Sequence, residues 1–383
     1  MHFSEISIVV EPAYMRTPWW EETRAGIDGE LLRKGIKARY HFCETVDELK
    51  FDKNSVLILA GETYAWIDSI LCYCECAGVR TVLACSDLGR TTARVSCVTL
   101  SRSEVMSKAV RYLHACGRSK ICAFAMNQDS PADMRKLEGY IHAANHFGGF
   151  PRDTDIIKYT GSIEECFNAF MSAIHGFDAA ICTNDLSAKY LITRLSECGV
   201  KVPEDIYVMS FGNTLIGRCS EPSITTVSLD LQELGRQAVK ASLFLFDNPD
   251  VNSIYVTINC RIIARKSTAD MLPEPSGALP ENNSYYAGKS RSSYSDPVLN
   301  QLVCLEKCLA SCDIIDARLI KGILAGTTYS QLAEELFIAD GTLRYRIERI
   351  FREFRISSRK ELVEIFSKYM PNFSPDMIAG KRI

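Results

Sequence analysis

The chain has 383 residues, 47% of them hydrophobic and 24% charged, with a formal net charge of −3. Two or three soluble globular domains are expected from these values, and the absence of a run of about 18 apolar residues excludes a membrane span. The N-terminal MHFSEISIVVE lacks a basic n-region and a long apolar core, so it does not read as a signal peptide. Sixteen cysteines are scattered through the sequence without an export signal, which points to reduced thiols in the cytoplasm. Cys72, Cys74 and Cys76, and then Cys304, Cys308 and Cys312, form two clusters. Without a paired CxxC or a nearby histidine, they read as small buried hydrophobes before they read as a metal site.

From Ile6 onward, short apolar runs alternate with helical patterns. The order is ISIVV, a helix to about Lys34, IKARYHF, a short helix near Val46, SVLILA, a helix over 64–77, VRTVLA, RVSCVTL and a helix over 103–115. It continues with KICAFA, a helix over 132–146, DIIKY, a helix over 163–174, DAAICT, a helix over 187–197 and DIYVMSF. A helix over 231–246 and the run SIYVTINCRIIA close this part. Short buried strands alternating with helices predict parallel sheets, and their number predicts two lobes.

Several segments stand in a specific order: AVRYLHACGRSKICAF, RKLEGYIHAA, FDAAICTNDLSAKYLITRLSECGVKVPEDIYVMSFGN, EPSITTVSLDLQELGRQAV and RIIARKST. In them the chain over 4–268 resembles the sensor domain of lac-repressor and purine-repressor proteins, a type I periplasmic-binding-protein fold. The resemblance implies an α/β sensor over 1–268, with one lobe at 4–116 plus 230–257 and the other at 117–229 plus 258–268. It also implies a small-molecule, carbohydrate-like effector in the cleft between them. The family's cleft arginine falls on Lys136, with Arg135 beside it. Its cleft asparagine is Asn184, followed by Asp185. Its cleft aspartate is replaced by Gly212, with Asn213 next. Arg16, Trp19 and Trp20 lie where the family lines the cleft, although two tryptophans at a helix start also suit plain packing. A lysine in place of the arginine and the loss of a carboxylate favour an anionic effector over a neutral sugar.

After Thr268, the stretch 269–295 is rich in Pro, Ser, Gly and Asn and reads as a linker. Asp296 or Ser295 caps a helix to about Ser311, which either extends the last domain or pairs with a partner chain. Four short helices are then predicted. The first carries Leu319, Ile320, Ile323 and Leu324 and stops at Gly326. The second carries Leu332, Ala333 and Leu336. The third is capped by Asp340 and turns Leu343, Ile347, Ile350, Phe351 and Phe354 inward. The last is capped by Ser357 or Ser358. From Arg344 to Lys360 there are seven basic and two acidic residues, an excess of five positive charges in an acidic protein.

With Gly326, Leu332-Ala333, Ile338-Ala339, Thr342-Leu343, Phe354, Ile356 and Ser358-Arg359 with Glu361-Leu362, the region 296–383 resembles the LuxR-type helix-turn-helix. The resemblance implies a recognition helix over 341–354 that meets a double-stranded DNA operator through Thr342, Arg344, Arg346 and Arg349. Thr327, Thr328 and Ser330 open the supporting helix, where free N–H groups and hydroxyls suit a phosphate. The last helix, over 360–369, is the expected homodimer contact. These readings combine into a cytoplasmic transcription regulator, a two-lobed sensor joined to a small all-α DNA-binding domain, with no cofactor and no membrane partner. The rival is a sensor that has lost its ligand and serves as a dimer platform. No nucleophile elbow, P-loop or HExxH pattern supports an enzyme.

Overall fold

The apolar runs form strands and the amphipathic stretches cover them. The structure is a computed structural model and describes residues 5–53, 55–84, 95–147, 151–269 and 296–379. The chain begins with β1 (Glu5–Val10), α1 (Pro12–Met15), α2 (Pro18–Lys34), β2 (Lys37–Phe42), β3 (Val56–Ala60), α3 (Tyr64–Ala77), β4 (Arg80–Ala84), β5 (Ser96–Leu100) and α4 (Arg102–Ala115). It continues through β6 (Ile121–Met126), α5 (Pro131–His146), β7 (Ile156–Lys158), α6 (Ile163–Ser172), β8 (Ala179–Cys182), α7 (Asp185–Glu197), β9 (Tyr207–Gly212), α8 (Leu215–Cys219) and β10 (Thr225–Ser228). Helix α9 (Leu231–Asp247), β11 (Tyr255–Ile258) and β12 (Arg261–Ile263) follow.

The strands make two sheets, ordered β11-β5-β4-β3-β1-β2 and β12-β10-β9-β8-β6-β7. The ladders between described residues are parallel, except that β12 runs antiparallel to β10. Central strands such as β3 and β8 are buried along their whole length, which is why they read as unbroken apolar runs. The two-lobed α/β architecture expected from the sequence is the one observed.

Three local readings are corrected. The chain leaves the first lobe directly after β5, not near 116. Val105, Met106, Val110 and Leu113 of α4 share one core with Ile121, Leu137 and Tyr140 of the second lobe, and the Ser107 hydroxyl donates to the Gly139 carbonyl at 2.9 Å. The run SIYVTINCRIIA is two strands on different sheets. The four-residue strand β10, TTVS, is an element the chain-order reading leaves out.

On the first lobe, α2 and α9 meet at glycine. A Cβ on Gly26 would strike the Gln232 carbonyl, and one on Gly235 would strike the backbone of α2. The two helices cannot separate without exposing Ile27, Leu31, Leu234 and Ala238. Gly26→Ala is expected to destabilise the chain by about 1–3 kcal/mol through overpacking, read as a lowered midpoint in urea unfolding.

The C-terminal region is α10 (Pro297–Ser311), α11 (Ile314–Leu324), α12 (Tyr329–Glu335), α13 (Asp340–Phe354), α14 (Arg359–Tyr369) and α15 (Asp376–Ala379). It is not a separate bead, because its apolar residues join those of the second lobe in one core. Asp296 caps α10 by accepting from the Val298 and Leu299 N–H groups at 2.8 and 3.1 Å, and its other oxygen accepts from Ile163 N–H of α6 at 3.0 Å. Helix α10 therefore docks within its own chain. Two further expectations change. Asp340 is not a cap, since Ala339 holds the N-cap position and Asp340 lies in the first turn of α13. The apolar stripe of α14, Leu362, Ile365, Phe366 and Tyr369, is buried, and α14 packs on α7. That stripe is consumed inside the chain and is not open for a dimer contact. The predicted linker lies outside the described residues from 270 to 295.

Candidate effector cleft and nucleic-acid-facing helices

The carboxyl ends of both sheets face each other, the usual place for a ligand in open parallel sheets. The lobes are drawn together there: Tyr64 N–H of the first donates to the Asp129 carbonyl of the second at 3.1 Å. Glu11, buried at the end of β1, accepts from Thr63 N–H at 3.1 Å and from the Thr63 hydroxyl at 2.6 Å. The space left between the lobes is a cavity of about 70 Å³, bordered by Tyr14, Trp19, Glu62, Arg102, Lys136 and Phe211 among others. Ligand sites ordinarily run to several hundred Å³.

Lys136 is in this cavity wall, but its ammonium is already engaged. It donates to Asp133 at 2.8 Å, to the Thr183 carbonyl at 2.7 Å and to the Thr183 hydroxyl at 3.3 Å. It also lies 4.9 Å from the Phe211 ring centroid. Burial holds its pKa below the ordinary lysine value, with the Asp133 carboxylate opposing. Asp133 is the hub the sequence reading missed. It also accepts from Asn127 N–H at 3.0 Å and the Thr183 hydroxyl at 2.6 Å. The signal was present as an i, i+3 acid–base pair on one helix. The charge expected to hold an anionic effector is thus neutralised from within.

Other cleft assignments divide. Asn184 borders the cavity, and its side chain caps α7 by accepting from Ser187 N–H at 2.9 Å. Asp185 is fully buried and is a structural anchor rather than a ligand group. It accepts from the Ser210 hydroxyl, from Thr214 N–H at 2.6 Å and from the Thr226 hydroxyl at 2.8 Å. Burial raises its pKa against those hydrogen bonds. Arg135 is not in the cavity wall and pairs with Glu138 at 2.6 Å. Trp20 is 1% exposed and packs edge-on against Tyr14 and Tyr40, so it belongs to the core. Trp19 does line the cleft and rests against Gly212. A Cβ on Gly212, whose φ is +132°, would lie 2.9 Å from the indole, so Trp19 occupies the space an aspartate side chain would need.

A second and much larger cavity, about 750 Å³, opens on the outer side of Trp19. One wall is the two-lobed part, with Arg16, Trp19, Asn213 and Arg218; the other is the C-terminal region, with Glu306, Lys307, Arg352 and Arg355. Asn213 takes a left-handed φ of 58° and accepts from Arg265. Glu306 is buried and accepts from Leu215 N–H at 2.9 Å and Ile216 N–H at 2.7 Å. Burial pushes its carboxyl up to about 7. Lys307 reaches Glu21 of α2 at 3.8 Å.

Helices α12 and α13 flank a turn in which Phe337 has φ 53° and is 94% exposed. Thr328 closes a capping box with Gln331, its hydroxyl donating to the Gln331 side chain at 2.8 Å, so its side chain is spent on α12 itself. Thr327 is half-buried, and Ser330 is exposed. On α13, Thr342, Arg344, Tyr345 and Arg352 are exposed. Arg346 and Arg349 are not. Arg346 donates to Asp313 and Asp316 at 2.8 and 2.7 Å, and Arg349 pairs with the same buried Asp316. Two of the five excess positive charges are cancelled by these two aspartates, which lie outside the basic stretch. Arg346 and Arg349 therefore fasten α13 to α11 and do not project from it as expected.

A family model for a periplasmic-binding-protein-like domain matches residues 110–268. The chain is 27% identical over 263 residues to the NTD biosynthesis operon regulator NtdR of Bacillus subtilis, covering 66% of this chain and 78% of that protein. It is 26% identical over 163 residues to the HTH-type transcriptional repressor CytR of Escherichia coli, covering 42% of this chain and about half of that protein's length, 48%. Among solved structures, a complex of the transcriptional regulator CelR with cellobiose has TM-score 0.61 at 18% identity, over 69% of this chain and 84% of the other. A LacI family transcriptional regulator from Mycobacterium smegmatis has TM-score 0.58 at 17% identity, over 69% and 99%. The two-lobed part of this chain shares its fold with these proteins, and the sequence relatives NtdR and CytR are an operon regulator and a transcriptional repressor.

Proposed function

We propose that the chain is a ligand-responsive transcription regulator that binds double-stranded DNA through a C-terminal LuxR-type helix-turn-helix, as a homodimer. One observation carries the DNA role: α13 presents Thr342 and Arg344 outward while Arg346 and Arg349 are used to hold it in place. A helix braced on one face and basic on the other suits a major groove. The likeness of the two-lobed part to regulators supports the sensing role. The dimer contact has to come from a surface other than α14.

Genomic fragments retained by the protein give the operator for a gel-shift titration. In that assay, Thr342→Ala combined with Arg344→Ala is expected to weaken specific binding at least tenfold, at about 1–3 kcal/mol per lost base contact. Helical content by circular dichroism should stay unchanged. Full operator affinity in the double variant refutes the assignment of α13. Arg346 is unsuited to this test because its removal disturbs Asp316. A second reading, a sensor with no effector in the interlobe cleft, is favoured by the small, internally neutralised space around Lys136. Thermal-shift screening of the parent protein and of Ala132→Leu, which fills the interlobe space, separates the two, since stabilisation by a sugar that is lost in the variant excludes the second.

A further inference from the structure

We propose that the cavity between the sensor and the C-terminal helices is a binding site for a small organic anion with a ring or flat apolar face. Arg16 and Arg218 would grip it from the sensor, Arg352 and Arg355 from the C-terminal region, with Trp19 as the stacking wall. The proposal deepens the sensing half of the regulator reading and moves the ligand out of the interlobe cleft.

Four observations carry it. The volume, about 750 Å³, falls in the range of small-molecule sites, whereas the interlobe space of about 70 Å³ does not. Arg16, Arg218, Arg352 and Arg355 all line the cavity, and among the described residues none of them forms an ion pair. Each acidic residue of the same walls already has a hydrogen-bond or ion-pair partner within the chain. Glu306 holds the start of α8, Glu21 faces Lys307, Glu22 accepts from Gln232 at 2.8 Å, and Glu353 accepts from Ser311. Guanidinium groups that form no ion pair, placed on both walls, offer the forked donor geometry that phosphates and carboxylates take. The Trp19 indole, which also borders this cavity, supplies an aromatic face. An occupant would bridge the sensor to the carboxyl-terminal end of α13, so binding there and the placement of α13 would be linked.

The test is calorimetry on the full chain, with adenosine 5′-monophosphate as the anionic probe and adenosine as its neutral counterpart. The nucleotide is expected to bind saturably, with affinity that falls with added salt, and to bind at least tenfold tighter than the nucleoside. Arg218→Gln alone and Arg352→Gln with Arg355→Gln should each weaken it tenfold or more. Ala132→Leu, which fills the interlobe space, should leave it bound; Ala132→Val repeats the comparison where leucine disturbs folding. Loss of binding in the folded Ala132 variant, indifference to the arginine variants, or no saturable binding of the nucleotide at millimolar concentration overturns the proposal. Gel shifts on the same preparations keep the two readings apart. Nucleotide binding without DNA binding sinks the regulator and leaves the cavity site standing, and the reverse result sinks the cavity site alone.

Discussion

Asp316→Ala is expected to unfold the C-terminal helices while the first lobe, whose core is separate from theirs, remains folded. Asp316 has no exposed surface, and its carboxylate serves three groups. It accepts from Asp313 N–H at 3.0 Å in the capping box of α11, from Arg346 at 2.7 Å, and from Arg349. Its own N–H closes the box onto Asp313 at 2.8 Å. Removing the acidic partner leaves two guanidinium groups beside a hole they cannot fill, a change that costs about 3–5 kcal/mol when a buried pair is broken from one side. The affected contact joins α11 to α13, so the loss falls on the helix proposed to read DNA. Urea unfolding followed by far-ultraviolet circular dichroism should show an early loss of helix in the variant. Fluorescence of Trp20 and Trp66, both buried in the first lobe and read in a Trp19→Phe background, should report that lobe at its original midpoint. Arg346→Ala should be milder, because Asp316 keeps Arg349. A single transition superimposable on that of the parent protein contradicts the role given to Asp316.

Docking of α10 on the second lobe is expected to weaken as pH rises from about 5 to about 8. Glu306 makes the contact, accepting from the first two N–H groups of α8. Its carboxyl is raised to about 7, by burial first and by the neighbouring Asp185 charge, while the two N–H groups and Arg218 oppose the shift. A carboxyl raised in the folded protein contributes its stability fully below the ordinary glutamate value, and loses it as pH climbs through the raised one. Across that window the effect is roughly 3 kcal/mol, at about 1.4 kcal/mol per tenfold change. Amide exchange of Leu215 and Ile216 reads it directly, with faster exchange at pH 8 than the intrinsic rate increase explains. Glu306→Gln should remove the pH dependence. Glu306→Ala should speed exchange at every pH, because each orphaned buried donor costs about 1–3 kcal/mol. Protection factors at these two amides that do not change between pH 5 and 8 would count against this account.

Local order in this protein is written in local sequence. The alternation of runs such as SVLILA with amphipathic stretches specified the α/β elements, because a strand buried on both faces must be apolar throughout and a surface helix must repeat at 3.6 residues. The caps at Asp296 and Ser358, and the stop at Gly326, were also legible, since an N-cap side chain or a left-handed glycine acts within one turn. The fates of the charged and aromatic residues were not. Arg346 and Arg349 look like a DNA-facing surface until α11 brings Asp316, 30 and 33 residues away, beneath them. Lys136 looks like an effector anchor until Asp133 and Thr183 accept its hydrogen bonds, and Trp20 looks like a cleft residue until Tyr14 and Tyr40 enclose it. The stripe of α14 reads as an interface until α7 covers it. Each of these depends on which element packs against which. Burial and pairing are set by distances in space, and a sequence pattern reports only neighbours along the chain.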